Sequence, residues 1–206
     1  MKIAILGASG GVGQELVSQA LARGHDVTAL ARDPSRLPFA DHPRLRRVRV
    51  DVTDPPTLQA ALDAQTTLIS GLGIGRGEQP GALLAGARGA VAANVERILW
   101  LGAFGTGASA QAGGWLVRAL LGLVLGKQLP DKIAADTTVL DAGGTVFHAG
   151  PLSDGELSAA RRTLGLSAAP SRLFPQGVSR KTVAAAMLDE AERPRFPRAV
   201  AVPLAR

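Results

Sequence analysis

The chain has 206 residues and contains neither cysteine nor tyrosine. Without cysteine it has no disulfide, no thiolate metal site, no iron–sulfur cluster and no cysteine nucleophile. Without tyrosine it has no phenol that could pass a proton to a substrate. The three histidines, His25, His42 and His148, are scattered and follow no carboxylate pattern, which argues against a dedicated metal site.

Long hydrophobic runs are also missing. The apolar run near the amino terminus covers only residues 3–6, whereas a signal peptide has about seven to fifteen apolar residues. The most apolar later stretch, residues 115–125, is interrupted by Arg118, and a membrane-spanning helix needs about twenty residues. We therefore expect a cytoplasmic protein that does not enter a membrane.

Aromatic residues are few, and the net charge is positive. There are 2 tryptophans and 5 phenylalanines, and the formal net charge is +6. Arg44, Arg46, Arg47 and Arg49 lie close together without an adjacent aromatic residue, whereas surfaces that hold single-stranded nucleic acid add stacking aromatics. We expect an exposed strand with a solvated face and no nucleic-acid partner. An anionic small ligand would account equally well for part of the charge.

Short apolar runs alternate with helical patterns along the whole chain, and 46% of the residues are hydrophobic. Strands separated by crossover helices pair in parallel. The pattern predicts an α/β protein with a Rossmann-like, doubly wound parallel sheet, forming a single domain over residues 1–206 with a small C-terminal substrate region. Strands are predicted at 2–6, 25–30, 47–50, 67–70, 97–101, 145–148 and 199–202, and helices at 12–21, 55–62, 79–94, 113–125, 131–141 and 179–192. The loops at 102–114 and 166–175 are candidates for a substrate rim.

A glycine-rich turn joins the first strand to the first helix. Its spacing is G-x-x-G-x-x-G, with glycines at positions 7, 10 and 13. Gly7 allows a tight turn, Gly10 lets a pyrophosphate approach the backbone, and Gly13 lets the helix pack closely on the strand. The strand before it and the amphipathic helix after it favour a dinucleotide site over an ordinary tight turn. The predicted cofactor contacts here are Gly7, Ser9, Gly10, Gly11, Val12 and Gly13.

This spacing resembles the short-chain dehydrogenase/reductase superfamily, and other segments resemble its atypical NAD(P)H-binding members: NmrA-like regulators, biliverdin reductase B and flavin reductase. The segments are residues 27–37, 51–52, 71–73, 150–155 and 178–184, so the resemblance covers nearly the full length. It implies contacts of Asp51 and Val52 with the adenine side of the cofactor. It also implies contacts of Gly71, Leu72, Gly73 and Arg76 around the nicotinamide ribose, and of Gly102 and Ala103 beside the nicotinamide. Arg76 could equally well be a solubilising side chain.

The second strand is followed by Arg32 and Asp33. A guanidinium there would bind the 2′-phosphate of NADP, whereas an acid would bind the ribose hydroxyls of NAD. Asp33 precedes Pro34, which suits a cap of a short helix. We expect NADP(H) as the cofactor, with NAD possible. Arg36 is either a second phosphate contact or a solvent-facing residue.

Typical members of the superfamily use a Tyr-x-x-x-Lys pair and a serine. Lys132 and Asp136 resemble the lysine and the acidic residue of the extended family, but the position of the tyrosine holds Gln128. The fifth strand ends in residues 100–104, with the sequence Trp-Leu-Gly-Ala-Phe, so the usual serine is missing there. His148 stands where the family often has arginine; it could donate a proton or be a buried structural histidine. The catalytic residues are therefore unknown, with His148 and Lys132 as weak candidates.

Hydride transfer to a conjugated acceptor needs little acid catalysis, because the cofactor carries the chemistry. We therefore predict an NADPH-dependent reductase of a flavin-, quinone- or tetrapyrrole-like acceptor. Phe104, Trp115 and residues 116–125 could wall a planar ring or form ordinary core. The alternative is a non-catalytic NmrA-like sensor with a protein partner. An epimerase is disfavoured, because that chemistry needs the tyrosine. We expect a monomer or a weak homo-oligomer.

Overall fold

The computed structural model describes residues 1–64, 66–73, 80–110, 128–170 and 176–206. The strands are β1 (Lys2–Leu6), β2 (Asp26–Ala31), β3 (Leu45–Arg49), β4 (Thr67–Ser70), β5 (Arg97–Ala103), β6 (Thr145–Ala149), β7 (Leu152–Ser153), β8 (Arg162–Gly165), β9 (Val178–Ser179) and β10 (Val200–Leu204). The α-helices are α1 (Gly11–Ala22), α2 (Pro55–Ala60), α3 (Ala82–Ala92), α4 (Leu129–Asp141) and α5 (Arg180–Glu192).

Eight strands form one sheet in the order β3-β2-β1-β4-β5-β6-β10-β8. All neighbours in this sheet are parallel except β10 and β8, which are antiparallel. The chain runs outward from β1 to β3 and then returns to continue with β4 on the other side. A doubly wound sheet of this kind has its switch point between β1 and β4, and ligands bind in the crevice outside the carboxyl ends of those strands.

Helices cover both faces of the sheet. On one face, Leu16 of α1 and Val183 of α5 pack in the same hydrophobic cluster as Ile5. On the other face, α2, α3 and α4 share a second cluster that contains the buried Trp100. The buried strands therefore have apolar side chains on both faces, as parallel strands between helices require. The prediction of an α/β, Rossmann-like, doubly wound sheet is confirmed.

The carboxyl-terminal part adds features that the sequence did not predict. β8 pairs antiparallel with β10 at the edge of the sheet, and β7 and β9 form a separate two-stranded parallel ribbon. These strands are short, and β7 is exposed, so they lack the buried apolar run by which the other strands are recognised. The predicted helix at 113–125 lies outside the described residues.

The arginine cluster lies on β3, which is the edge strand at the other end of the sheet. Arg46 donates to the Ala61 carbonyl at 3.0 Å, and Arg47 donates to the Asp41 carboxylate at 2.9 Å. Arg46 and Arg49 are exposed. The prediction of an exposed strand with a solvated face is confirmed. None of the described helices has the length and hydropathy needed to cross a membrane.

Candidate functional site

The glycine-rich turn occupies the switch point of the sheet. Gly7 follows β1 with a φ of +75°, in the left-handed region that favours glycine. The amide of Gly10 donates to the Gly7 carbonyl at 3.0 Å and closes the turn. Gly10 then precedes α1 in an extended conformation, and no side chain caps that helix. The first amide groups of α1 are thus left for a ligand, and the helix dipole there favours an anion.

Close backbone packing fixes the direction in which α1 points. A Cβ atom at Gly13 would lie 2.1 Å from the Gly7 carbonyl oxygen, and one at Gly71 would lie 3.1 Å from the Gly13 nitrogen. Real Cβ atoms essentially never approach backbone as closely as 2.1 Å, so α1 can pack against the end of β1 only with glycine at position 13. The 3.1 Å contact at Gly71 is tighter than most Cβ contacts, and a side chain there would require the neighbouring backbone to shift. The amino terminus of α1 is thereby aimed along the carboxyl edge of the sheet.

The predicted contact residues of the turn differ in their exposure to solvent. Ser9, Gly10 and Gly11 are exposed, whereas Val12 and Gly13 are buried. The side chain of Val12 belongs to the hydrophobic core, so a contact between Val12 and a cofactor would use its backbone amide.

The loop after β4 faces this turn. A Cβ atom at Gly7 would lie 3.1 Å from the Leu72 nitrogen, so the two loops are adjacent. Leu72 is half-buried and Gly73 is exposed, and a Cβ atom at Gly73 would meet nothing within 4 Å. Arg76 lies outside the described residues, and its contact remains a prediction.

The adenosine end of the candidate site gathers three arginines. Arg32 follows β2, and the register of the sheet places Arg49, the last residue of β3, opposite Ala31. Asp33 caps the short helix Pro34–Arg36, and its carboxylate accepts a hydrogen bond from the Ser35 amide at 3.1 Å. The hydrogen bond from the Ser35 hydroxyl lowers the pKa of Asp33, with smaller contributions from the charges of Arg36 and Arg49.

Asp51 begins the turn after β3. Its carboxylate accepts hydrogen bonds from the Thr53 hydroxyl at 2.7 Å and the Thr53 amide at 2.9 Å. These hydrogen bonds lower the pKa of Asp51, and the charges of Arg32 and Arg49 act in the same direction. Asp51 is exposed and Val52 is half-buried, and the charge effects on the pKa of Asp51 place it near Arg32 and Arg49. The sequence interpretation did not single out Arg49 as a site residue, because its position depends on the register between β2 and β3.

A buried polar cluster underlies the predicted nicotinamide end. Gly102 of β5 lies in register with His148 of β6, and a Cβ atom at Gly102 would meet His148 Cδ2 at 2.5 Å. His148 Nδ1 lies 2.6 Å from Ser109 Oγ, and His148 Nε2 lies 3.3 Å from Asp136 Oδ2. Gly102 is buried and Ala103 is half-buried. The absence of a side chain at Gly102 thus makes room for the histidine.

Both weak catalytic candidates belong to this cluster. Lys132 Nζ donates to the Leu101 carbonyl at 3.4 Å, and burial lowers the pKa of Lys132 although the Asp136 charge opposes that shift. The relative exposure is 7% for Lys132 and 1% for His148. Among the described residues, neither oxygen of Asp136 has a hydrogen-bond partner. Lys132 and His148 are both buried, and a direct catalytic role for them remains a prediction.

A pocket opens beside the ends of β5, β6 and β10. Its empty volume is about 360 Å³, including space open to solvent. The described lining residues are Phe104, Gly150, Ala169, Pro170, Gln176, Val202, Pro203 and Leu204, and none of them is ionisable. Phe104 lines the pocket and is also buried in a hydrophobic cluster with Val202 and Leu204, so its position does not decide between a wall for a planar ring and ordinary core. Trp115 and residues 116–125 lie outside the described residues. The loop at 166–175 contributes Ala169 and Pro170 to the rim.

Residues 7–194 match the NAD(P)H-binding family. The chain belongs to this family. The predicted NAD(P)H-binding family is confirmed by this match, and the solved structures similar to this chain share its fold. The glycine turn, the bare start of α1 and the arginines after β2 and β3 are chemically suited to a dinucleotide.

Three relatives illustrate the similarity. A 3-diazoavenalumate denitrifying reductase from a Streptomyces species is 44% identical over 64 residues, which are 31% of this chain and 19% of that protein. The anaerobilin reductase ChuY from Escherichia coli O157:H7 has a TM-score of 0.79 and 21% identity, over 100% of this chain and 97% of that one. A short-chain dehydrogenase/reductase from Veillonella parvula DSM 2008, solved with NADP, has a TM-score of 0.76 and 16% identity, over 98% and 93%.

The match to the curated reductase spans about a fifth of that protein's length. The two solved structures are too distant in sequence to show more than a shared fold. Membership of the family therefore establishes NAD(P)H binding but does not specify a reaction.

Proposed function

We propose that the protein is an NADPH-dependent reductase that passes a hydride directly to a planar, conjugated acceptor. The observation that carries the proposal is the pocket between Phe104 and β10, at the carboxyl edge of the sheet, where ligands of doubly wound folds bind. Its described lining is predominantly apolar and contains no ionisable side chain. Such a lining suits an acceptor whose ring system is apolar and whose reduced form spreads its charge.

The acid–base residues of the site agree with this acceptor class. The chain has no tyrosine, and Lys132 on α4 and His148 on β6 are both buried. When bound, NADPH would supply the hydride. The chain would then contribute chiefly orientation, and water would supply the proton that the reduced acceptor takes up, which suffices for flavin-, quinone- or tetrapyrrole-like acceptors.

The arginines support NADP(H) over NAD(H). Arg32 and Arg49 lie side by side at the ends of β2 and β3, and Arg36 follows in the short helix. A 2′-phosphate would be held by such a group, because charge-assisted hydrogen bonds from guanidinium groups to phosphate are strong. Asp33 caps the short helix and accepts a hydrogen bond from the Ser35 amide. The acidic residue that would bind the ribose hydroxyls of NAD is therefore already engaged within the protein.

The names of the relatives point the same way. The Streptomyces protein and the Escherichia coli protein are both named as reductases. The acceptor of this chain, its cytoplasmic location and its oligomeric state remain predictions.

Absorbance at 340 nm tests the proposal. Purified protein with NADPH and menadione, dichlorophenolindophenol or FMN should oxidise NADPH faster than the acceptor and cofactor do alone. The Gly10→Val variant is the matched control, because it should lose the cofactor and with it the excess rate. Tight NADPH binding without turnover of any acceptor would overturn the reductase and favour the NmrA-like sensor.

A further inference from the structure

The side chain of Arg180 lies over the glycine-rich turn. Arg180 is the first residue of α5, which Ser179 caps through a hydrogen bond from the Thr182 amide to its hydroxyl at 3.1 Å. A Cβ atom at Gly11 would lie 2.7 Å from Arg180 Cδ and 2.8 Å from Arg180 Nε. The guanidinium therefore occupies the space above the first residue of α1, beside the uncapped amide groups.

This is an unfavourable place for a cation. The amino terminus of each helix carries a partial positive charge, and Arg180 stands at the start of α5 and beside the start of α1. Its partner is Asp154, whose side chain is 91% exposed. An exposed ion pair contributes little to stability, because water and salt screen it. The positive charge gathered above Gly11 is thus incompletely compensated by the protein.

We propose that Arg180 binds the pyrophosphate of the dinucleotide and exchanges Asp154 for it. This inference rests on the proposed function only in that a dinucleotide must occupy the turn. A pyrophosphate on the α1 amide groups would meet the Arg180 guanidinium within the same small space. The planar guanidinium binds two phosphate oxygens at once and is less strongly hydrated than an ammonium group.

The proposal also explains why position 11 is glycine. Gly11 begins α1 in a conformation open to other residues, so its backbone does not demand glycine. What a side chain would displace is Arg180. Glycine at position 11 therefore affects ligand binding by leaving room for Arg180. Gly7 and Gly13, in contrast, are required by the backbone conformation and by close backbone contacts.

Calorimetric titration with NADP⁺ and with NAD⁺ tests Arg180. The Arg180→Ala variant should bind both nucleotides about 10- to 100-fold more weakly, the fold-change expected for the loss of a charged hydrogen bond. Both should weaken equally, because both contain the pyrophosphate. Lys181→Ala is the matched control: it removes the same charge from the same turn of α5, where Lys181 pairs with Glu156, and should change either affinity less than twofold.

A double-mutant cycle with Gly11→Ala tests the mechanism. Gly11→Ala alone should weaken binding, and it should add little once Arg180 is already alanine. Asp154→Asn should leave binding unchanged or tighten it a few-fold, since it frees Arg180. Equal affinity of wild type and Arg180→Ala, additive effects in the cycle, or weakening by Asp154→Asn as large as that of Arg180→Ala would each overturn the inference. Failure of the wild type to bind either nucleotide would instead refute the proposed function.

Discussion

Ser109 and His148 join the loop after β5 to β6 through a buried contact of 2.6 Å between Oγ and Nδ1. Ser109 Oγ also accepts a hydrogen bond from the Gly105 amide at 2.8 Å. His148 therefore holds the loop after β5, which contributes Phe104 to the lining of the apolar pocket. Asp136 approaches the other nitrogen of the ring at 3.3 Å, so the histidine has a polar group on each side.

Replacement of His148 should first affect stability. His148→Ala would leave Ser109 and Asp136 buried with fewer polar neighbours, and we expect a loss of about 1–3 kcal/mol in the free energy of unfolding. Urea denaturation measures it. The control is His42→Ala, whose exposed ring accepts only the local hydrogen bond from the Arg44 amide. An unchanged stability for His148→Ala would contradict the supporting role of this side chain.

Arg32→Glu should separate the two cofactors. It replaces a positive charge at the end of β2 with a negative one, and NADP(H) should lose about 1–3 kcal/mol of binding free energy, while NAD(H) changes much less. Calorimetric dissociation constants for both nucleotides give the comparison. Arg193→Glu makes the same charge change at an exposed site after α5 and should leave their ratio unchanged. Equal effects of Arg32→Glu on both nucleotides would exclude a 2′-phosphate contact.

The glycines of the turn should give two different phenotypes. A Cβ atom at Gly10 would keep 3.3 Å from the Gly7 carbonyl oxygen, and Gly10 is exposed, so Gly10→Val should fold but fill the space of the pyrophosphate and abolish binding. Gly13→Ala would place a Cβ atom 2.1 Å from the same oxygen and should lower the melting temperature. Thermal melts and NADPH titration distinguish the two. Full nucleotide affinity in Gly10→Val would remove the argument for this turn.

Glu190 should be a main electrostatic contributor to stability. It is fully buried, accepts hydrogen bonds from the Arg195 and Phe196 amides at 2.9 Å, and faces Arg97 at 3.3 Å. Glu190→Ala leaves the two amide groups without their acceptor and removes the carboxylate that faces Arg97, although Arg97 keeps its hydrogen bonds to the Glu190 and Ala191 carbonyls. The variant should cost about 3–5 kcal/mol in chemical denaturation. Asp41→Ala also removes a carboxylate paired with an arginine, but an exposed one, and should cost less than about 1 kcal/mol.

Glu192 should make stability depend on pH in the acid range. Its partial burial raises the pKa, but hydrogen bonds from His25 and Arg23 outweigh that effect and hold it below its ordinary value of 4.5. The unfolded chain therefore binds the proton first as the pH falls, so this contribution is present above about pH 4.5 and is lost on passing below the folded pKa.

Glu192→Gln should accordingly be less stable than the wild type at pH 6, and the difference should narrow between pH 5 and pH 3. Urea unfolding at each pH follows the difference. Asp141→Asn, at an exposed carboxylate at the end of α4, serves as the control. A difference that stays constant or widens with acid would contradict the direction of the shift.

Local patterns sufficed for the central sheet and for the first turn. The bounds of β1 and β4 are those predicted, because each is a buried apolar run with a turn after it. The cap at Asp33 followed from its proline neighbour alone. The resemblance to the extended family indicates the pair of Lys132 and Asp136, four residues apart on one helix.

Contacts between residues that lie far apart in the sequence could not be predicted from local patterns. Arg49 joins Arg32 only through the register of β2 with β3, and His148 meets Asp136 only because β6 lies beside β5. Arg180 reaches Gly11 because α5 packs against α1 on one face of the sheet. The contacts of these residues arise from tertiary packing, which local sequence patterns do not reveal.

Calorimetric titration of NADPH into the wild-type protein and into Gly10→Val tests whether the glycine-rich turn binds the dinucleotide. We expect saturable binding by the wild type, tighter than that of NADH, and no binding by the variant. Absence of heat with the wild type at millimolar NADPH would contradict it.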